Sequence, residues 1–293
     1  MINSPYSIGV IGYGFLGGAL VHGFSLHANI KIYDKFKAGF DTLEDTVKTS
    51  EYLFFCLPTP MFDDNGEQDL GILDGAVQVV HDEVLKLRAA GDHARKIAVI
   101  KSTVLPGANR AFQSKYPELT FVSGPEFLTA RSNKLDFICA SRHIFGGQDQ
   151  EALRAMDSLF RFRFGNSVPI YLTDWESAEM VKYASNCFFA VKVNYFNYIY
   201  KLCDKLDIEY NDVKDMVLAD GRIGRSHCDV PGHDGGFGIS GTCFPKDLNA
   251  LINFSNNIGI DPQILEATWK QNIELRPSKD WEQLSGVVSK RKT

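Results

Sequence analysis

The sequence predicts an α/β protein in which a doubly wound parallel Rossmann sheet is followed by a long helix and a smaller helical domain. Three observations support this fold class. Short apolar runs alternate with amphipathic stretches as far as about residue 170, as strands alternate with crossover helices in parallel sheets. An uninterrupted helical pattern follows, and beyond it the chain is helical apart from one glycine-rich loop. We therefore expect two domains, residues 1–170 and residues 171–293.

The first domain is expected to contain strands separated by helices and loops. Apolar runs predict strands at residues 7–11, 30–33, 52–57, 96–100 and 120–122. Amphipathic stretches predict helices at 16–26 and 73–89, and the polar segment 61–71 predicts a loop. Polar residues follow several of the strands, which is where ligands bind in open α/β sheets.

The second domain is expected to be mostly helical. A pattern without glycine or proline predicts one helix over residues 176–206, and shorter helices are predicted at 244–258 and 261–275. Residues 221–241 lack periodicity and predict a long loop. The long helix carries an apolar stripe that fits either a subunit interface or core packing. Its members are Met180, Cys187, Val191 and Phe196.

Charge and composition argue against several classes of protein. The chain has 31 Lys and Arg against 36 Asp and Glu, spread along its length, so it lacks the basic stripe that nucleic-acid binding needs. No apolar run approaches the roughly 18 residues that span a bilayer, and the first residues do not resemble a secretion signal. We expect a cytoplasmic protein with neither membrane nor nucleic-acid partners, whose six scattered cysteines are reduced.

Residues 12–17 fit the GxGxxG pattern, between a predicted strand and a predicted helix. Glycines there let the backbone approach a pyrophosphate, which the helix N-terminus attracts. Asp34 ends the next strand, where a carboxylate accepts hydrogen bonds from a ribose and repels a 2′-phosphate, although Lys35 weakens that discrimination. We therefore predict NAD as the cofactor. The predicted contacts are Gly12, Gly14, Phe15, Leu16, Gly17, Asp34, Lys35, Pro58, Thr59 and Thr103.

Cys243 lies where the long loop ends and a helix is predicted to begin, three residues before Lys246. A helix N-terminus and a nearby lysine both favour the thiolate, so they lower the pKa of a thiol. A buried structural cysteine is the alternative reading of the same position. We expect no metal site at the nearby His227, Cys228 and His233, because no ligand pair has the spacing of a zinc site.

Seven runs of residues, in order, resemble the UDP-glucose/GDP-mannose dehydrogenase family. They are GYGFLGGAL, FCLPTP, KSTVLPG, GPEFL, EMVKYASN, DGRIG and GFGISGTCFPKD. The resemblance extends from Ile8 to about Leu251. It implies an enzyme that oxidises a nucleotide sugar twice with NAD. The reaction expected first is the conversion of UDP-glucose to UDP-glucuronate. The resemblance also implies a homodimer.

The resemblance implies a covalent mechanism at Cys243. The thiol would trap the intermediate aldehyde as a thiohemiacetal, and hydride loss would give a thioester that water hydrolyses. Lys182 and Asn186 match the KxxxN pair of the family and lie one helical turn apart, so they share a face and can stabilise charge on the substrate oxygen.

The remaining family roles concern protons, water and the substrate. Asp247, Thr103 and Glu126 match residues that assist proton transfer or order the hydrolytic water. Arg222 matches an arginine that reaches the site of the neighbouring subunit. The substrate contacts that the resemblance implies are Glu126, Phe127, Leu128, Lys182, Asn186, Arg222, Gly238 and Cys243.

Each of these residues also has an ordinary structural interpretation. Lys182 and Arg222 could be solvated charges, Asp247 a first-turn helix acid, Glu126 a loop carboxylate and Thr103 an N-cap. Two other functions stay open: a β-hydroxyacid dehydrogenase without a catalytic thiol, and a non-catalytic protein that binds NAD.

The chain also departs from the family pattern. Family members usually continue into a second Rossmann-like domain that binds the substrate nucleotide, and we expect this chain to lack it. Ser240 replaces a glycine of the cysteine loop, and Thr129-Ala130-Arg131 replaces a run that usually contains an acid. An insertion at 225–235, with His233 and Asp234, is expected to add substrate contacts.

Overall fold

The computed structural model describes residues 4–291 and divides them into two compact units. Residues 4–59 and 70–182 form unit 1, and residues 60–69 and 183–291 form unit 2. Residues 60–69 therefore belong with the C-terminal part of the chain. The expected domain boundary near residue 170 stays a prediction.

Strands and helices are numbered along the chain. The strands are β1 (Ser7–Ile11), β2 (Asn29–Tyr33), β3 (Tyr52–Phe55), β4 (Met61–Phe62), β5 (Ile97–Ile100), β6 (Thr120–Ser123), β7 (His143–Gly146), β8 (Ile170–Thr173) and β9 (Val288–Ser289). The helices are α1 (Phe15–Phe24), α2 (Leu43–Thr49), α3 (Gly71–Ala89), α4 (Ala108–Lys115), α5 (Asn133–Ile138), α6 (Gln150–Phe164), α7 (Trp175–Lys205), α8 (Tyr210–Leu218), α9 (Phe244–Asn257) and α10 (Gln263–Leu275), with a 3-10 helix at Asp280–Gln283.

Unit 1 contains a seven-stranded sheet with the order β2-β1-β3-β5-β6-β7-β8. All neighbouring pairs are parallel except β6 and β7, so the expected parallel sheet is mixed near one edge. The chain leaves β1 for β2 on one side and returns to β3 on the other, which makes β1 and β3 a topological switch point. Ligands bind at the carboxyl ends of strands beside such a point.

The central strands are buried on both faces, as parallel strands covered by helices must be. Successive residues of β3 alternate between two apolar clusters: Phe54 belongs to one, while Leu53 and Phe55 belong to the other. This two-sided burial explains why β3 is an unbroken apolar run in the sequence.

Unit 2 contains α8, α9, α10 and most of α7. No helix or strand of the described residues lies between Leu218 and Phe244, as expected for the long loop. The expected loop at 61–71 was wrong in part, because β4 pairs in parallel with β9. Trp281 is fully buried next to Met61 and Val287, and this apolar cluster holds the two short strands together.

Two members of the predicted stripe on α7 lie in apolar clusters of unit 2. Cys187 packs with Ile239 and Leu248, and Phe196 packs in a second cluster. A different row faces outward: Phe188, Tyr195 and Leu202 are 61%, 56% and 41% exposed. None of the helices in residues 4–291 is long and apolar enough to cross a membrane.

Candidate active site

The glycine loop after β1 has the geometry that a dinucleotide requires. Gly12 has a φ of +94°, and a Cβ there would lie 2.7 Å from the Cys56 carbonyl oxygen. A Cβ on Gly17 would lie 2.1 Å from the Gly12 carbonyl oxygen, whereas one on Gly14 would meet no heavy atom within 4 Å. The first and third glycines therefore allow the tight turn and close helix packing, and Gly14 leaves open space for a pyrophosphate.

Asp34 is tied to this loop through its carboxylate. Its Oδ2 accepts a hydrogen bond from the Tyr13 N–H at 2.8 Å, and its Oδ1 accepts one from the Phe36 N–H at 2.9 Å. Lys37, which sequence reasoning missed, donates to the Tyr13 carbonyl at 2.6 Å. Lys35 is exposed. These contacts place the acid beside the glycine loop, as NAD binding requires.

The other predicted cofactor residues differ in their surroundings. Leu16 packs in the core of unit 1, so its side chain is a structural group, while Phe15 is exposed. The Thr59 hydroxyl donates to the Thr103 carbonyl at 2.7 Å, which joins the segments that follow β3 and β5. Pro58 is exposed. Their contacts with the cofactor stay predictions.

A Gly17→Ala substitution is expected to damage the cofactor site. The new methyl group would overlap the Gly12 carbonyl, so the loop must move, which should cost about 1–3 kcal/mol of stability. NAD affinity should fall by more than about tenfold as the backbone donors shift. Isothermal titration with NAD and thermal unfolding measure the two effects.

Gly18→Ala is the matched control, because a Cβ at Gly18 would meet only the Tyr13 ring, at 3.9 Å. That variant lies inside α1 and should bind NAD normally, with stability raised by about 0.5–1 kcal/mol. Equal NAD affinity in the two variants would contradict the assigned role of the loop.

A buried ion pair in unit 1 contains two of the predicted catalytic residues. The Lys182 ammonium lies 2.8 Å from Glu126 Oε1, and the two side chains are only 4% and 6% exposed. Glu126 Oε2 accepts the Leu128 N–H at 2.6 Å. Burial alone would raise the pKa of Glu126, but Lys182, the Leu128 N–H and Lys101 together hold it below its usual value. Glu126 is therefore a carboxylate at neutral pH.

Lys101 is a buried group that sequence reasoning missed, although it lies in the KSTVLPG run. Its ammonium donates to the Pro125 carbonyl at 3.0 Å, directly before Glu126. Burial lowers the pKa of Lys101 to about 8. Lys101, Glu126 and Phe127 line a cavity of about 240 Å³, and the Phe127 ring lies 4.2 Å from the Arg142 guanidinium. The GPEFL run thus lies beside several cationic groups.

Unit 2 places Cys243 directly before α9. The Asp247 N–H donates to the Cys243 carbonyl at 2.9 Å, so Asp247 lies one turn into the helix. Its carboxylate is 1% exposed and accepts from Asn186 Nδ2 at 2.6 Å and from Lys246 Nζ at 2.5 Å. Lys246, in the first turn of α9, is therefore bonded to Asp247, and a buried hydrogen-bonded carboxylate lies one turn from the thiol.

Exposure separates Cys243 from two other cysteines. Its side chain is partly exposed, and its Sγ lies 3.6 Å from the Thr242 hydroxyl. Cys56 and Cys187 are buried, which raises the pKa of both thiols, that of Cys56 to about 12. Since only thiolates are good nucleophiles, Cys56 and Cys187 are unsuited to covalent chemistry. None of the six cysteines forms a disulfide in the described part of the chain.

The remaining predicted residues are engaged elsewhere in unit 2. Arg222 is exposed and its guanidinium binds the Asp220 carboxylate. Gly238 has a φ of +69° and its N–H donates to Asn197 at 3.1 Å. Asp234 forms an ion pair with Arg276 at 2.6 Å, so the substrate contact expected of it stays a prediction.

Two models of one protein family match this chain. Residues 29–163 match the NAD-binding domain of the UDP-glucose/GDP-mannose dehydrogenase family, and residues 176–274 match its central domain. UDP-glucose 6-dehydrogenase YwqF of Bacillus subtilis is 30% identical over 267 residues, which cover 87% of this chain and 56% of the relative. The chain spans about half the length of the curated UDP-glucose 6-dehydrogenases that it matches.

Solved structures show the same fold. A UDP-glucose dehydrogenase from the archaeon Pyrobaculum islandicum superposes with a TM-score of 0.80 at 25% identity, covering 92% of this chain and 68% of that one. A 3-hydroxyisobutyrate dehydrogenase of Mycobacterium tuberculosis covers 95% of both chains with a TM-score of 0.70, but at 16% identity it shares the fold alone.

The two family models together extend over most of the chain. The glycine loop with Asp34 has the geometry expected of the NAD-binding domain of this family. Both matched domains come from one family and follow each other in the order of the sequence motifs. The chain belongs to the UDP-glucose/GDP-mannose dehydrogenase family.

Proposed function

We propose that this protein is an NAD-dependent nucleotide-sugar 6-dehydrogenase, which oxidises the hydroxymethyl group of a UDP-sugar to a carboxylate. UDP-glucose is the first candidate substrate, because the curated relatives named above act on it. The observation that carries the proposal is the arrangement at α9, where a partly exposed thiol precedes the helix and a buried carboxylate follows one turn later.

NAD, when bound, accepts the hydride released in each of two oxidations. The chain itself holds the cofactor through the glycine loop and Asp34. In the first oxidation the alcohol loses a hydride from carbon and a proton from oxygen, and an aldehyde forms. The buried Lys182 ammonium is suited to stabilise the alkoxide, because a cation in a water-poor environment interacts strongly with developing negative charge.

The second oxidation uses the Cys243 thiolate. Its sulfur adds to the aldehyde carbon, and the oxygen takes a proton to give a thiohemiacetal. Loss of a hydride from carbon and a proton from oxygen leaves a thioester. Water then adds, the carbon–sulfur bond breaks, and the carboxylate leaves with the thiolate regenerated. One alcohol, one water and two NAD⁺ thus yield one carboxylate, two NADH and three protons.

Two carboxylates are suited to proton transfer in these steps. Asp247 lies one turn from Cys243 and is held by Asn186 and Lys246. In unit 1, Glu126 stays ionised beside Lys182, which suits a group that activates or orders water, and Thr103 lies in the same unit. On that basis we assign Asp247 and Glu126 to proton transfer and water, with Asn186 as the donor that holds Asp247. The resemblance to the family adds Thr103.

We further propose a homodimer formed through α7. Phe188, Tyr195 and Leu202 recur every seven residues, so they lie on one face, and all three are exposed. Sedimentation velocity on a Tyr195→Glu variant tests this assignment: a monomer is expected, and an unchanged dimer would contradict it. A cytoplasmic location stays a prediction.

NADH formation at 340 nm with a panel of nucleotide sugars tests the proposed activity. We expect two NADH for each UDP-glucose consumed, with NAD strongly preferred over NADP because of Asp34. One NADH per sugar would contradict the two-step oxidation. NAD binding without NADH from any sugar would favour the non-catalytic alternative.

A further inference from the structure

The segment that leads to Cys243 has a backbone that needs support. Gly235, Gly238 and Gly241 all adopt positive φ angles, of +76°, +69° and +80°. Glycine loses more conformational freedom on ordering than any other residue, so a segment of this composition does not hold one shape by itself. Its shape must come from contacts with neighbouring parts of unit 2.

Asn272 in α10 makes the first of these contacts. It is fully buried, its Oδ1 accepts the Ile239 N–H at 2.6 Å, and its Nδ2 donates to the Ile239 carbonyl at 3.2 Å. One side chain thus satisfies both backbone groups of one loop residue. A Cβ on Gly238 would lie 2.4 Å from Asn272 Oδ1, so a residue with a side chain at this position would overlap the amide.

Arg276 follows one helical turn after Asn272. Its guanidinium donates to the Phe237 carbonyl at 3.3 Å and to Asp280 at 2.7 and 2.9 Å. A Cβ on Gly236 would lie 2.6 Å from Arg276 Nη1. Arginine is suited to this position because its five donors have a fixed geometry.

Asp280 connects the network to the residue that departs from the family pattern. Its carboxylate accepts the Ser240 hydroxyl, with both oxygens at 3.1 Å, three residues before Cys243. Hydrogen bonds from Arg276 hold the pKa of Asp280 below its usual value, so the acceptor is charged. The fully buried Trp281 next to it fixes this position in the apolar cluster of Met61 and Val287.

We propose that Asn272, Arg276 and Asp280 are positioning residues, here called the loop clamp, which hold residues 236–241 so that Cys243 is presented at the N-terminus of α9. This inference rests on the proposed role of Cys243. The serine at 240 supplies the hydroxyl through which Asp280 holds the loop, a contact that glycine cannot make.

The test measures alkylation of Cys243 by iodoacetamide between about pH 5 and about pH 9, with the Cys243 peptide quantified by mass spectrometry. Steady-state kcat and KM are measured on the same full-length preparations. The variants are Ser240→Ala and Asn272→Ala, which break the clamp, and Ser240→Thr, which keeps the hydroxyl. Cys203→Ala is the control for lost stability, since Cys203 packs in a separate apolar cluster.

Breaking the clamp is expected to raise the pH of half-maximal alkylation by about one unit, because the thiol is no longer held at the helix N-terminus. It should lower kcat by about tenfold, with KM within about twofold, since misplacement of a reacting group acts on the chemical step. Ser240→Thr should keep the pH of half-maximal alkylation and kcat at their wild-type values, because it keeps the hydroxyl. Cys203→Ala should lower the unfolding temperature and leave the alkylation profile unchanged.

An unchanged alkylation profile in folded Ser240→Ala would overturn the loop clamp. This variant removes only one hydroxyl group, so the test remains valid even if Asn272→Ala does not fold. A profile that moves equally in Cys203→Ala would also overturn it, because the effect would then be general loosening. Failure of the proposed function is recognised separately, by formation of the sugar acid that persists in Cys243→Ala. The alkylation readout does not depend on turnover.

Discussion

Cys243→Ala is expected to lose formation of the sugar acid by more than about a thousandfold, since removal of a covalent nucleophile leaves only binding and electrostatic stabilisation. The loss should fall on the second oxidation, because the thiol is needed to convert the aldehyde into a thioester. NADH formation and the acid product are measured together in steady state. NAD affinity should be unchanged, because the glycine loop and Asp34 lie in unit 1.

The matched control is Cys139→Ala, which removes an exposed thiol after α5. This variant should keep full activity, so any loss in Cys243→Ala is specific to its position. One NADH per substrate in both the wild type and Cys243→Ala, at the same rate, would favour a β-hydroxyacid type of dehydrogenase, which uses no thiol.

Lys182→Met is expected to destabilise the protein by about 3–5 kcal/mol, because it leaves the Glu126 carboxylate buried without its partner. Activity should also fall, since the substrate oxygen loses its cation. The double variant Lys182→Met, Glu126→Gln should regain most of the stability, because the amide oxygen still accepts the Leu128 N–H. It should regain none of the activity. Thermal unfolding and NADH formation separate the two effects.

The pair formed by Arg110 and Glu176 provides the control for this experiment. It is half exposed, so Arg110→Met should cost less than about 1 kcal/mol. If Lys182→Met lowers the free energy of unfolding no more than Arg110→Met does, the ion pair of Lys182 and Glu126 does not contribute the stability assigned to it.

The effect of Lys182→Met should depend on pH in one direction. The pKa of Glu126 lies below its usual 4.5 in the folded protein, so the pair contributes its full stability above about pH 4.5. That contribution is lost as the pH falls through the lowered pKa, because the carboxyl then becomes neutral. The difference in stability between wild type and Lys182→Met should therefore shrink in acid.

Much of the fold follows from patterns in the sequence. The predicted strands and helices lie within two residues of those observed, because two-sided burial and uninterrupted helical periodicity leave strong local patterns. The strand β4 was missed because it is two residues long and its partner β9 is distant in the chain. The strands β7 and β8 were not predicted, and the antiparallel direction of β7 depends on the crossover before it, which no local pattern shows.

The site was predictable where residues act through local motifs. The glycine loop with Asp34 and the thiol before α9 follow from spacing and from the resemblance to the family. Lys101 was overlooked because its burial depends on packing between strands. The loop clamp could not be predicted, because Asn272 and Ser240 are far apart in sequence and only the fold brings α10 to the cysteine loop.

Mass spectrometry of the Cys243 peptide after a quenched single turnover tests the central claim most directly. Enzyme is mixed with NAD and UDP-glucose, quenched in acid and digested. We predict a peptide whose mass is increased by the acyl group of the oxidised sugar nucleotide, which disappears on longer incubation as water hydrolyses the thioester. NADH and acid formation with an unmodified Cys243 at every time point would contradict the covalent mechanism.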